Sequence, residues 1–335
     1  MVDNGAEDSP SPPPAAEDGA PLVSVVIPHF NDLTNLERCM RLLDRQTLPR
    51  GKFEVVVADN NSPCGLEAVR CVCGRSARVV HAPVQGAGAA RNAAVEASRG
   101  KILAFIDSDC RPTADWLERG LAALSSAPIV GGQVDVDVDD PANLTAVEAF
   151  ERAFAFNFKR YVEQLGFSGS GNMFVLRDVF DKVGGFRARV SEDVDWGRRA
   201  VAAGYRWRYA ADVVVSHPAR RTWNELTQKW RKSSRESFEA MIERPNGRAL
   251  WFLRSFAVLA SPVIHWVTVA RSNKLLNGEQ RMKAVAVLCR IRFWRFLECQ
   301  RLLLQRRATS GSPPPGPRPD GAIGSTVQKG SRRRR

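Results

Sequence analysis

Apolar residues in this chain fall into two periods. Unbroken runs of strand length, Leu22 to Ile27, Phe53 to Ala58, Arg78 to His81 and Ile102 to Ile106, alternate with segments whose apolar positions recur at helical spacing, Leu33 to Leu43 and the small-residue stretch Gly86 to Ser98. Runs without polar alternation suit strands covered on both faces. Strands alternating with helices predict an α/β fold with a mostly parallel, Rossmann-like sheet, right-handed crossovers and helices on both faces. Further on, Ile129 to Val138 carries Asp135, Asp137 and Asp139 at alternate positions, the pattern of an edge strand with one wet face. Residues 143–165 predict one Phe-rich helix. A glycine stretch from Phe167 enters a strand ending at Leu176, and a short helix from Arg177 stops at a glycine cap. Ser191-Glu-Asp-Val-Asp-Trp196 opens a helix ending near Ala203-Gly204, and Tyr205 to Val215 predicts a hairpin leading to Ser216-His217-Pro218.

Beyond this the pattern changes. Trp223 to Met241 predicts a helix beside the cleft, with Trp230 and Arg231 near the acceptor. Residues 249–270 are largely apolar but interrupted by Arg254, Pro262 and His265. They are marginal for a bilayer span, which needs about 20 predominantly apolar residues, and a re-entrant or interfacial segment fits as well. Residues 281–307 mix bases with Phe293, Trp294, Phe296 and many leucines. The chain thus divides into an acidic, Pro-rich tail over 1–20, an α/β body over 21–220, a helical basic region over 221–307 and a basic tail over 308–335. The tails, rich in Pro, Gly, Ser and charge, are expected to be disordered.

Net charge sharpens that division. The whole chain carries +13, yet residues 21–219 hold 24 bases and 24 acids, whereas residues 220–307 hold 19 bases and 6 acids. A neutral body argues against a nucleic-acid enzyme, which would carry its basic stripe across the cleft. Bases interleaved with Trp, Phe and Leu suit a membrane surface bearing anionic lipid. The alternative is a helical appendage with solvated charges. The seven cysteines show no zinc-type spacing and follow no secretory signal, so a reducing cytoplasm is expected.

The candidate chemistry centres on Phe105-Ile-Asp-Ser-Asp109, where the last apolar run ends in two carboxylates. Ligands in open α/β sheets bind at the carboxyl ends of strands, and Mg²⁺ is commonly held by one or two carboxylates plus substrate phosphates. Asp107 and Asp109 therefore suggest a metal-diphosphate site, with a solvated turn as the plainer reading. Asp59 ends the second strand, where it could accept from a base or ribose, or simply cap a turn. Gly86-Ala-Gly88 followed by Arg91 could meet phosphate, although glycines at helix starts are common. Glu192, Asp193 and Asp195 suit a helix dipole, but mutual repulsion would raise at least one pKa and leave a potential general base. His217 is either structural or a ligand.

Taken in order, Pro28-His-Phe-Asn31, Val-Ala-Asp-Asn-Asn-Ser62, Gly-Ala-Ala-Arg-Asn92, Phe-Ile-Asp-Ser-Asp109, Gly-Asn-Met173, Val-Gly-Gly-Phe186, Glu-Asp-Val-Asp-Trp196 and His217 resemble the family 2 glycosyltransferases with their GT-A fold. The resemblance covers about residues 21–220. It implies a nucleotide-sugar donor, UDP type favoured, a divalent metal, Mn²⁺ or Mg²⁺, and sugar transfer with inversion. It places Pro28, Asp59 and Arg91 around the nucleotide, with Phe30, Asn60 and Ser108 in the same donor-binding motifs. Asp107 would face ribose or metal, Asp109 would be the main metal ligand, and His217 a further one. Asp193 would be the general base, oriented by Glu192, with Gly171, Asn172 and Trp196 near donor sugar or acceptor. His29, where a small or hydroxyl residue is frequent, and Asn60, in place of a second acid, depart from the pattern and bear on base preference.

The function expected is an inverting glycosyltransferase acting on a glycan or lipid-linked acceptor in cell-envelope or exopolysaccharide synthesis. It would be cytoplasmic, peripheral or monotopic at the inner face of the membrane, with nucleic acid not expected as a partner. One alternative is a sugar nucleotidyltransferase, which would want a Gly-rich phosphate loop with a lysine after the first strand. Another is a catalytically silent nucleotide-sugar-binding or membrane adaptor protein.

Overall fold

A computed structural model describes residues 19–188 and 191–309, the last four as backbone. All but two residues of each expected tail lie outside it.

The body follows the alternation read from the apolar runs. In chain order it contains β1 (Val23–His29), α1 (Leu33–Leu43), β2 (Phe53–Asp59), α2 (Leu66–Cys73), β3 (Arg78–His81), α3 (Ala87–Glu96), β4 (Ile102–Ile106), the two-residue β5 (Arg111–Pro112), α4 (Trp116–Leu124) and β6 (Ile129–Asp137). It continues with α5 (Ala146–Phe154), α6 (Phe158–Leu165), β7 (Asn172–Leu176), α7 (Arg177–Val183), α8 (Glu192–Ala202) and β8 (Trp207–Pro218). One eight-stranded sheet results, in the order β3-β2-β1-β4-β7-β6-β8-β5. Only β7 and β5 run against the other strands. The fold is thus mixed α/β with a mostly parallel sheet and a helical C-terminal region.

Because side chains alternate across a strand, the fully apolar runs feed two cores at once. Val25, Ile27, Val55, Val57, Ile102, Ala104 and Ile106 pack with Leu36, Met40, Leu43 and Trp116 on one face. Val26, Val56, Leu103, Phe105, Met173 and Val175 pack with Ala90, Ala94, Phe180, Phe186 and Trp196 on the other. The carboxyl ends of β1, β2 and β4 consequently open on one rim, where Asp59 and Asp107 lie.

Three local expectations are corrected. β6 is not an edge strand: it lies between β7 and β8, and its acids are partnered inside the sheet region, Asp137 with Arg111 and Asp135 with Gln133. The helix expected over 143–165 is two helices, broken where Phe156 takes φ 57°. The hairpin expected over 205–215 is one strand with a bulge, since Gly132 pairs with Ala210 but Gln133 with Val214. Extra residues in one strand carry the turn-type signal without reversing the chain.

Four helices follow: α9 (Trp223–Ile242), α10 (Gly247–Ala260), α11 (Pro262–Ala270) and α12 (Gly278–Thr309). α9 starts on a capping box in which Thr222 and Glu225 exchange hydrogen bonds with each other's backbone. α12 packs along α5, burying Val147, Phe150, Leu226, Leu288 and Ile291. Glu151 on α5, 1% exposed, receives Arg220 at 2.8 Å and Lys229 at 3.2 Å. Among the described residues no single helix is long and apolar enough to cross a membrane; α10 and α11, bent by 43°, pass by length and composition only as a pair.

Candidate functional site

At the rim, the loop after β4 carries Asp107 and Asp109, the first helix turn of α8 brings Glu192 and Asp193, and α3 supplies Arg91. Arg91 is 4% exposed and clamps two carboxylates, Asp107 at 2.5 Å and Glu192 at 2.9 Å. Charge-assisted pairs of this kind are short and orienting. Those carboxylates, with Asp193, outweigh the burial that opposes its charge and hold the guanidinium firmly protonated. Arg91 thus ties the loop after β4 to the start of α8.

Asp193 is half-buried, and its Oδ1 is buried with no hydrogen-bond partner. Burial pushes its carboxyl above the ordinary range; Arg91 and Ser170 pull the other way, while Glu192 and Asp107 add to the push. Ser170, 1% exposed, lies beside that carboxyl. A carboxylate with a raised pKa and an open acceptor edge has the attributes of a general base.

Asp107, Asp109 and Cys110 bring potential ligand atoms within 4.8 Å of one another. Burial, with Asp107 and Asp109 nearby, pushes the Cys110 thiol well up, so it stays protonated. Two carboxylates and a neighbouring imidazole remain, a donor set that fits Mg²⁺ or Mn²⁺. His217 Nε2 lies 3.2 Å from Asp109, and its Nδ1 donates to the Pro218 carbonyl at 2.8 Å, which fixes the ring. Burial opposes charge on both partners, but their mutual attraction lowers the pKa of Asp109 and raises that of His217. Gly171 completes the cradle: a Cβ there would stand 2.8 Å from Asp107 Oδ2.

At the carboxyl ends of β1 and β2, Asp59 is 2% exposed, receives His29 Nδ1–H at 3.0 Å and also accepts from the Ser62 hydroxyl. His29 Nε2 accepts from the Asp32 backbone N–H, which sets that tautomer. Asp59, Asn61, Ser62, Leu66 and His81 line a cavity of about 390 Å³. Pro28 pairs with Ala58 at the same rim, Phe30 is exposed, and Ser108 is half-exposed between the two acids.

Three further residues of the expected site are held in the protein's own framework. Asn60 is buried and its side chain pins the neighbouring turn, donating to Ala82 and Val84 and accepting from Gly86 N–H. Asn172 is fully buried, accepts from Trp116 Nε1–H and donates to Gln133 and Val213. Trp196 is 1% exposed, stacked on Phe180, and donates to the Gly184 carbonyl. At Gly88 the lack of a Cβ lets α3 approach Phe186 and Glu192.

Some of the supporting contacts join residues far apart in the chain. Asn92 holds Phe186 by both backbone polar groups, and Phe186 lies 5.8 Å from the Arg91 guanidinium. Glu236 on α9 is pushed up by burial and then by Glu192, Glu239 and Asp193, against Lys232, so α9 passes the acids. With Arg231, Lys232, Arg235 and Glu239 it lines a cavity of about 310 Å³. No spacing links positions so far apart in the chain.

The chain is similar to several known proteins. The glycosyl transferase family 2 model matches residues 24–184. Glycosyltransferase AglE of Haloferax volcanii is 34% identical over 249 residues, 70% of this chain and 81% of that protein. The pre-mycofactocin glycosyltransferase of Mycobacterium tuberculosis is 26% identical over 289 residues, 83% of this chain and 58% of that protein. Among solved structures, the mannosyltransferase PcManGT of Pyrobaculum calidifontis, in complex with GDP-Man and Mn²⁺, gives a TM-score of 0.47 at 19% identity, covering 92% of this chain and 80% of that one. The motif match and the extent of likeness to AglE together establish that the chain belongs to glycosyl transferase family 2, as a glycosyltransferase.

Proposed function

We propose that the protein transfers a sugar, with inversion, from a nucleotide-sugar donor to a hydroxyl of a glycan or lipid-linked acceptor at an anionic membrane surface. The observation that carries this is Asp193: a carboxylate with a raised pKa and an unpartnered buried oxygen, set beside the acid pair Asp107 and Asp109. In this reading Asp59 and its cavity take the nucleoside, and Asp107 orients the diphosphate side of the donor. Asp109, Asp107 and His217 would hold Mn²⁺ or Mg²⁺, whose chemistry is to neutralise charge on the diphosphate leaving group. Asp193 takes the proton from the acceptor hydroxyl, and the Arg91 clamp on Asp107 and Glu192 keeps the acids in register. A single displacement with base and leaving group on opposite sides of the anomeric carbon inverts it.

Membrane contact is supported by the C-terminal helices. Leu253, Val263, Ile264 and Trp266 are 65%, 76%, 75% and 53% exposed, within a region rich in arginine. A cluster of large exposed apolar side chains among cations suits the headgroup boundary of anionic lipid. In this reading the protein works at the inner face of a membrane, in the synthesis of an envelope or extracellular polysaccharide.

The test is Asp193→Asn. Donor binding in Mn²⁺ should stay within about threefold of wild type, while transfer falls by the 10²–10⁴-fold typical of general-base loss. Transfer at the wild-type rate would overturn the assignment.

A further inference from the structure

The cations of α1 form a row. Arg38, Arg41 and Arg45 follow one another at intervals of three and four residues, so they leave one face of the helix and spread over about two turns, roughly 10 Å. All three are exposed, and among the described residues none of their side chains forms a hydrogen bond or an ion pair. A fourth guanidinium comes from another element. Arg111 of β5 is fixed by its pairing with Asp137 and by the register of β5 against Ser216 of β8. Together with Leu42 and Asp139 the four arginines line a cavity of about 390 Å³. Asp139 is itself taken up by Arg221 at 2.6 Å.

Like charges one turn apart on a helix repel, so the row lowers the stability of α1 unless an anion neutralises it. The helix dipole favours Arg41 and Arg45 at the carboxyl end of α1, but it gives no reason for Arg38 in the middle or for Arg111 in the same cavity. A concave surface lined by one sign of charge focuses its field and concentrates the opposite ion. Each guanidinium offers a planar fork that meets a carboxylate through two parallel hydrogen bonds. Since the forks are strung along α1 and not gathered round a point, the matching ligand is extended and carries its negative charges at intervals.

The surroundings separate the kinds of polyanion that fit this description. Nucleic acid held along a groove stacks its bases on aromatic rings, and no aromatic side chain lines this cavity. An anionic membrane is met by cations interleaved with exposed apolar side chains; among the described residues α1 exposes no large apolar side chain, whereas α11 exposes Val263, Ile264 and Trp266. An acidic glycan, with carboxylates on successive sugars and little apolar surface, fits both observations. The position suits it as well. Cys39, the neighbour of Arg38, has its Sγ 3.9 Å from the Asp107 carbonyl oxygen, Arg111 follows Asp109 by two residues, and Ser216, which pairs with Arg111, precedes His217. The arginines therefore lie beside the loop that carries the paired acids.

We propose that Arg38, Arg41, Arg45 and Arg111 bind an acidic glycan whose carboxylates lie along α1 beside that loop. With the transferase reading, on which this step rests, the glycan is the acceptor, and the substrate class is a carboxylate-bearing oligosaccharide or polysaccharide. Binding itself does not rest on that reading.

The test is calorimetric titration of the full chain with a galacturonic acid hexamer in EDTA and without nucleotide sugar, beside the fully methyl-esterified hexamer and a single-stranded DNA hexamer. Saturable binding is expected for the acid, at least tenfold tighter than for the neutral ester or the DNA. It should weaken at least tenfold in Arg38→Gln combined with Arg41→Gln, and again in Arg41→Gln combined with Arg45→Gln, all at exposed positions. Equal affinity for the ester would show that the carboxylates are not read, equal affinity for DNA would reduce the row to a general cationic patch, and unchanged affinity in both double variants would remove the site. Donor binding in Mn²⁺, measured separately on wild type, distinguishes the two failures. Its absence with binding of the acid retained overturns the transferase reading and leaves this site standing; its presence without binding of the acid overturns this inference alone.

Discussion

Asp193 shows how one residue's environment can set a protein's pH behaviour. A carboxyl whose folded pKa is raised by burial is already protonated at pH values where an exposed acid would be ionised. The transfer rate should therefore fall on acidification at a pH above the ordinary Asp pKa of about 3.9, in a pH-rate profile taken at saturating donor. The sign for stability is opposite to that of a salt-bridged acid. Since the folded state binds the proton more tightly, stability declines as pH rises from the unfolded to the folded pKa. Asp193→Asn should consequently melt no lower than wild type at neutral pH while losing transfer, and a large drop in melting temperature would contradict this account of its burial. A second residue-scale expectation concerns Gly171. Its Cβ in Gly171→Ala would press on Asp107 Oδ2 at 2.8 Å. Displacing a ligand's support commonly costs 10–100-fold, so Mn²⁺-dependent donor affinity should fall by about that factor in calorimetry.

The roles of single residues were unevenly legible. Asp107, Asp109, Glu192, Asp193 and His217 come to one rim as their motifs suggest, because each lies at the end of a strand or the start of a helix. Asn60, Asn172 and Trp196 belong to the same motifs, but their side chains are consumed in holding turns and core. A motif preserves residues that build a site as readily as residues that touch a ligand, and only burial and hydrogen-bond partners separate the two.

Among elements, continuous apolar runs betrayed the central strands, whereas the interruptions misled. The β8 bulge between Ala210 and Val214 mimics a turn, and the break at Phe156 is invisible to periodicity because apolar spacing resumes after it. A left-handed φ is uncommon for a bulky residue and persists only where surroundings enforce it. At this break the Phe156 ring meets His217 and Lys229. The neighbouring helix α5 yields a stability prediction. Glu151, Arg220 and Lys229 form a buried charge group in which attraction to the two bases outweighs burial and lowers the Glu151 pKa. Glu151→Gln leaves those bases facing an amide and should cost about 3 kcal/mol in denaturant unfolding. Because the folded pKa is depressed, this contribution is present above the unfolded Glu pKa and is lost as pH falls through the folded value.

For the whole molecule, the uneven charge in the sequence has a structural counterpart: the balanced body carries the acids, and the basic helices carry the exposed apolar face. Vesicle co-sedimentation addresses the membrane claim directly. The full chain should pellet with phosphatidylglycerol vesicles more than with phosphatidylcholine ones, less so at high salt, and Val263→Asp combined with Ile264→Asp should abolish the difference. Undiminished pelleting of that double variant would remove α11 from the contact.

The central claim is that Asp107 and Asp109 make a metal-dependent nucleotide-sugar site. Its most direct test is thermal melting of wild type and Asp109→Ala against a panel of nucleotide sugars, with and without Mn²⁺ or Mg²⁺. A ligand that binds only the native state raises the melting point according to its concentration relative to Kd. At least one donor should stabilise the wild type in a manner that requires the metal and disappears in Asp109→Ala. Metal-independent stabilisation that persists in the variant would contradict it.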